Sequence, residues 1–477
     1  MYQSTVLLFI LAFSAAGIFA QSGRITPKNT TPAVETAIAE INDLTAEQMF
    51  NEAIGYAKTK FAEFEQKKIS YSDSLYRKIV LEQKQLAAKY ASALGARPRL
   101  AGDEFYYLGM LHWLADNNDG AMENLQKFLA AKNYTAERAQ ASRSVVVIVS
   151  ARRKNFGDAE RLLAEYLKNE PVKLSDRAKM EAELAAGYQA EKNFARAALH
   201  AEESYSAVKI LFKDAPSRAR ALNEIINAGR AAFEIYRLDG KQTDADRTLD
   251  DMRKTGVLVQ SNGIYYAAVD LKIKYLIETG RKTAALQTYA ETLEQAVKDF
   301  AAKPLQDDIV RNLKKREKHY KLLGETAPEL AEVDKWFPGN AQTIAALRGK
   351  VVLLDFWATW CSPCIDAFPS LIEMHQKLQK NGLVILGVTR YYGQAEGESA
   401  DEAAESAFLQ NFRKTYHLPY DFVVTKGQAN QLNYGAMSLP TTVLIDRKGV
   451  IRYIETGTSA SRELEIQTEI EKLLAEK

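Results

Sequence analysis

The only two cysteines in the 477 residues, Cys361 and Cys364, have two residues between them and stand in the run 351–369, Val-Val-Leu-Leu-Asp-Phe-Trp-Ala-Thr-Trp-Cys-Ser-Pro-Cys-Ile-Asp-Ala-Phe-Pro. An apolar strand that breaks into Cys-x-x-Cys at the start of a helix commits the chain to one local geometry. There the helix terminus acidifies one thiol, and the other stands ready to resolve a mixed disulfide. A purely structural disulfide is the weaker reading, because the loop-entropy contribution grows with loop length and this loop constrains little. A structural zinc site needs about four Cys or His ligands. The nearest histidine, His375, comes eleven residues after Cys364, and His112, His200, His319 and His417 form no ligand spacing, so no metal is expected. Neither a phosphate-cradling loop nor a dinucleotide fingerprint opens a helix, so no bound cofactor is expected either.

A chain of this length is too long for one core and should divide into several domains. Lys and Arg number 63 against 61 Asp and Glu, for a net charge of +2, which points to no nucleic-acid partner. Residues 6–20 form an uncharged apolar stretch ending in Ala20 before polar Gln21. That is the pattern of a secretory leader, although residues 1–5 carry no Lys or Arg. The stretch is short for a membrane span, so no integral span is expected after cleavage. Residues 1–20 are therefore expected to be a signal peptide that places the protein in a periplasmic or other extracytoplasmic space. Residues 21–46, rich in Thr, Pro, Asn and Ser, read as a linker.

From 47 to 325 apolar residues recur at helical spacing with few strand-like runs. Asn117-Asn-Asp-Gly-Ala121, Asn155-Phe-Gly-Asp-Ala159 and Asn193-Phe-Ala-Arg-Ala197 recur at intervals of 38 residues, with looser echoes at 239–245 and 279–284. Phe105, Leu108, Gly109, Ala121 and Leu125 fall at the offsets of a tetratricopeptide helical pair, and Pro171 falls where the second copy would close. Such pairs cannot bury their apolar faces alone, so an all-α solenoid is expected. Its role is open between docking a partner protein and serving as a scaffold.

The segment 325–340 carries two prolines and a glycine, and beyond it the periodicity becomes strand-like, so a second domain is expected over 326–477. Strands at 351–356, 383–389 and 422–424, helices at 361–380, 404–416 and 428–434, a hairpin of 442–445 with 450–455, and a last helix from 463 describe an α/β domain with a mixed sheet. The run Phe356-Trp-Ala-Thr-Trp-Cys-Ser-Pro-Cys364 resembles the active-site stretch of thioredoxins. Leu347-Arg-Gly-Lys-Val-Val-Leu-Leu and Met437-Ser-Leu-Pro-Thr-Thr-Val-Leu-Ile-Asp446 resemble the exported TlpA/ResA-like branch of the redoxins. The resemblance covers about 336–477 and implies a thioredoxin-like fold behind the helical solenoid. It also implies thiol-disulfide oxidoreductase activity without a cofactor.

Cys361, at the helix start, is the expected nucleophile and Cys364 the resolving thiol. Asp355 stands on a buried strand, where desolvation raises a carboxyl toward the range useful for exchanging a proton with Cys364. Pro363 presets the first helical turn, and Pro369 is expected to kink the helix. Trp360 is expected beside the thiol. Pro440 resembles the family's cis-proline, which implies that Leu439 pairs with substrate backbone. Many members of the branch carry an acid between the cysteines, whereas Ser362 and Pro363 stand here. The lack of the His that accompanies strongly oxidising centres favours a reductant of protein disulfides, recharged by an upstream thiol donor. A thiol peroxidase is the less favoured alternative, since Ala358 occupies the place of its threonine. A helical interaction scaffold carrying a dispensable thioredoxin domain is the other.

Overall fold

The structure, a computed structural model, describes residues 43–213 and 218–476. The expected leader and all but the last few residues of the expected linker lie outside the described residues. Among them, helices run in series: α1 (Ala46–Gln66), α2 (Asp73–Gly95), α3 (Asp103–Leu114), α4 (Asn118–Ala131), α5 (Ala136–Arg152), α6 (Phe156–Lys168), α7 (Leu174–Ala190), α8 (Phe194–Lys213), α9 (Arg218–Leu238), α10 (Gln242–Leu258), α11 (Asn262–Glu278), α12 (Lys282–Asp299) and α13 (Lys303–Leu322). By packing, the chain parts into two compact units that divide between Ala245 and Asp246.

In the first unit each 38-residue signature lies at the turn between paired helices, α3 with α4, α5 with α6, and α7 with α8. Asp116, Lys154 and Lys192 each end the preceding helix at positive φ, 59°, 61° and 57°. The Asn that follows begins the next helix; Asn117 caps α4 by accepting from the Gly120 amide at 3.0 Å. Ala121, Ala159 and Ala197 are fully buried where the paired helices meet. Gly109 is needed for the α3/α4 approach, because a Cβ there would stand 2.6 Å from Leu125.

The second unit holds α11 to α13 together with the sheet, although the change from helix to strand falls only after Leu322. Its strands are β1 (Val333–Phe337), β2 (Val351–Phe356), β3 (Leu383–Arg390), β6 (Asp421–Thr425), β7 (Thr441–Ile445) and β8 (Ile451–Thr456), in the order β1-β6-β3-β2-β7-β8. A small separate hairpin, β4 (Gln394–Ala395) with β5 (Glu398–Ser399), occupies a polar insertion, residues 391–401, that follows β3. Strands β2, β3 and β6 are mutually parallel, joined by α14 (Ser362–Leu378) and α15 (Glu402–Thr415); β1, β7 and β8 run antiparallel to their neighbours. Helices α16 (Ala429–Tyr434) and α17 (Ala460–Ala475) complete the unit.

Strand β2 is buried on both faces, as its continuous apolar run requires. Val351 and Leu353 face one core, with Phe368 of α14, Phe412 of α15 and Ile470 of α17. Val352, Leu354 and Phe356 face the other, with Leu322 and Leu323 at the end of α13 and Tyr434 of α16. The fold is thus the expected one, an N-terminal helix series followed by a mixed-sheet thioredoxin-like domain. Strand β1 is an addition: Trp336, in the segment read as a boundary, is already a sheet residue, paired with Val423. Its flanking prolines hid the strand.

Candidate active site

Strand β2 ends at Phe356, and Trp357 then turns into the core at 1% exposure, packed on Phe368, Phe412 and Phe422. That anchor fixes the short link to Cys361, which takes the N-cap position of α14 with extended backbone. Pro363 stands in the first turn, where a missing N–H costs nothing, and Pro369 lies inside the helix. Cys361 and Cys364 are joined as a disulfide with Cα atoms 5.3 Å apart. Cys364 is fully buried and Cys361 is 5% exposed, so any reagent meets Cys361 first.

Asp355 shares a sheet face with Cys364. It is 2% exposed, and its backbone pairs with Gly387 of β3 and Thr442 of β7. Burial alone pushes its carboxyl up to about 7. The carboxylate lines a cavity of about 20 Å³ with Ala367, Ser370, Pro440, Thr442 and Glu463. The cavity begins one helical turn beyond Cys364, and its volume suits a single water. A buried acid titrating near neutrality on the sheet face that packs against α14 can take up and return a proton.

The Leu439–Pro440 peptide bond is cis. Pro440 is buried and Leu439 half-buried, and the Pro440 carbonyl accepts from the Gly457 amide at 2.8 Å. Trp360 is not core: it is 58% exposed, edge-on to Tyr392 with centroids 5.3 Å apart. Beneath Tyr392 the Arg390 guanidinium lies 4.1 Å from the ring centroid. Gln431 joins the two, donating to the Tyr392 hydroxyl at 3.1 Å and accepting from Arg390 Nε at 3.1 Å. Glu405, buried on α15, accepts the Tyr392 and Gly393 amides and holds that corner of the insertion. Met437, three residues before Pro440, is exposed as well. Motif reasoning passed over Tyr392, Arg390 and Glu405, because they converge from an insertion, a strand end and a helix with no shared spacing. Among the described residues no group of His, Cys, Asp and Glu could hold a metal ion.

The fold and the dithiol together define a thioredoxin-fold thiol-disulfide oxidoreductase. Residues 322–470 match the Redoxin family model. The thioredoxin-like protein YneN of Bacillus subtilis (strain 168) is 34% identical over 148 residues, 31% of this chain and 79% of that relative. The thiol-disulfide oxidoreductase ResA of Geobacillus thermodenitrificans (strain NG80-2) is 34% identical over 143 residues, 30% of this chain and 74% of that relative. A crystal structure of a thioredoxin-like superfamily protein, 26% identical, covers 32% of this chain and 97% of its own at a TM-score of 0.28. The chain belongs to the redoxin family and is a thioredoxin-like thiol-disulfide oxidoreductase.

Proposed function

We propose that the protein is an exported reductant of protein disulfides, recharged by an upstream thiol donor. In this reading residues 326–477 carry the chemistry, and the helical segment 47–325 offers a surface to a partner protein. The observation that carries it is the placement of the pair: Cys361 at the start of α14, Cys364 buried one turn in, and Asp355 on the strand beneath. The positive end of α14 favours a thiolate at Cys361. That thiolate attacks one sulfur of a substrate disulfide, forming a mixed disulfide and expelling the other substrate sulfur as a thiolate. Cys364 then gives its proton to the Asp355 carboxylate and attacks Cys361 Sγ. The products are the Cys361–Cys364 disulfide and a second substrate thiol, so the enzyme dithiol loses two electrons and the substrate disulfide gains them. Leu439 offers backbone groups to the substrate peptide beside Pro440, and Trp360 offers an exposed ring.

Export rests on the apolar stretch 6–20 ahead of Gln21. Among the described residues no helix is long and apolar enough to cross a membrane. The direction of electron flow rests on the Ser362-Pro363 pair and on the absence of histidine between the cysteines.

Replacing Cys364 by Ser removes the resolving thiol. The variant is expected to accumulate covalent complexes with substrate proteins that dithiothreitol releases, whereas Cys361→Ser traps none. Absence of any captured mixed disulfide in Cys364→Ser would remove the exchange mechanism. Mass analysis of the mature protein checks export, with loss of residues 1–20 the expected result.

A further inference from the structure

Helix α13 belongs to the helical series by sequence, yet three of its contacts converge on the loop that carries Leu439 and Pro440. His319, 2% exposed, directs Nε2 at the Gly435 carbonyl, 2.9 Å away. A carbonyl only accepts, so Nε2 carries the proton. Burial and the neighbouring Arg316 lower the His319 pKa to about 4, so the ring is neutral near pH 7 and Nε2–H is its donor. Gly435, at φ 70°, closes α16 and opens the run 436–440. A Cβ on Gly435 would stand 2.8 Å from the His319 ring and 3.0 Å from the Lys318 side chain, so any side chain there would force helix and loop to shift.

The far side of the loop is held from the same helix. Arg316, one turn before His319, donates to both oxygens of Glu455 at 2.8 and 3.0 Å and to the Ile454 carbonyl at 3.3 Å. Glu455 lies on β8 directly across from Thr442, two residues after Pro440. Beyond it, Thr441 and Thr456 share a hydroxyl hydrogen bond and the Gly457 amide donates to the Pro440 carbonyl. Leu322 and Leu323 at the end of α13 share a core with Tyr434 and Ala436, against which Leu439 packs.

We infer that α13 is a clamp on the substrate-pairing loop, with His319 and Arg316 as positioning residues that fix the Leu439 backbone relative to the dithiol. The inference rests on the proposal that Leu439 pairs with substrate peptide. It assigns the last helix of the series a part in selecting peptide disulfides over small ones, since only a peptide uses the Leu439 backbone. An error of the order of 1 Å in such a group is enough to change a rate by orders of magnitude.

The test is a single-turnover measurement on the full-length protein, reduced with dithiothreitol and freed of it, followed through tryptophan fluorescence. One substrate is a disulfide-bonded peptide; the other is bis(2-hydroxyethyl) disulfide, which has no peptide backbone. His319→Leu is expected to slow reaction with the peptide by roughly tenfold or more while leaving the small disulfide within about twofold. His319→Gln, which keeps a donor, is expected to restore the peptide rate. Gly435→Ala, which drives a methyl into the His319 ring, is expected to reproduce the loss and decides the matter if His319→Leu fails to fold. Wild-type peptide rates in a folded His319→Leu or Gly435→Ala, or equal slowing of both substrates, overturn the clamp. A wild type that reduces neither substrate overturns the proposed function instead, and one that reduces only the small disulfide overturns the pairing role of Leu439.

Discussion

Asp355 is the residue whose chemistry depends most on its surroundings. Its carboxyl ordinarily titrates near 3.8, and burial raises it to about 7 in the folded chain. The protonated form is therefore favoured by folding. The associated stability is fully present below about pH 4 and is lost as pH rises through about 7. At about 1.4 kcal/mol per pH unit the span is on the order of 4 kcal/mol. Asp355→Asn removes the titration, so the stability of the wild type minus that of the variant should fall across that window. Denaturant unfolding at several pH values reads this, and a constant difference would contradict a buried, titrating Asp355. In catalysis the same substitution should slow resolution by Cys364 by ~100-fold near neutrality, the scale of a lost general base. Stopped-flow decay of the mixed disulfide measures that step.

At the scale of elements, two kinds of sequence signal proved readable for different reasons. The repeat was legible because each turn between paired helices needs one residue at positive φ, one helix-initiating Asn and one small buried Ala, all within a few positions. Strand β2 and helix α14 were legible because a continuous apolar run and a Pro in the first turn are local rules. Strand β1 was not, since Val333–Phe337 is held by pairing with β6 nearly ninety residues away and nothing in its own five residues alternates cleanly. The close packing inside the helical pairs yields its own expectation. Gly109→Val places atoms where Leu125 stands and should cost roughly 1–3 kcal/mol of stability, the usual cost of overpacking. Thermal unfolding monitored by circular dichroism checks it, while the reactivity of the dithiol should be unchanged.

At the scale of the whole molecule, the sequence periodicity changes near 325 but the compact unit containing the sheet begins at Asp246. That unit holds a buried charge cluster that no local pattern announces. Arg316 and Lys274 from the helices, with Arg462 from α17, surround Glu455 of β8, and Asp270 completes the set. Burial pushes the Asp270 and Glu455 carboxyls up, but Lys274 and Arg316 outweigh it and hold both below the ordinary range. Replacing Arg316 by Leu in the full-length chain leaves the buried Glu455 without its bidentate partner, which for a buried pair costs about 3–5 kcal/mol. Urea unfolding of wild type and variant should show a difference of about that amount, and equal stability would mean that the cluster holds nothing together.

The candidate site divides along the same line. Cys361, Cys364 and Asp355 were picked out because thiol exchange demands those residue types at short spacing, and Pro440 by its resemblance to the family's cis-proline. Tyr392, His319 and Arg316 were not, because their places depend on which distant segments the fold brings together. The central claim, that this dithiol donates electrons to protein disulfides, is tested most directly by its reduction potential, measured by equilibration with glutathione. A value near about −270 mV, in the range of thioredoxin, is the expected result, and one near about −120 mV, in the range of a strong disulfide donor, would contradict it.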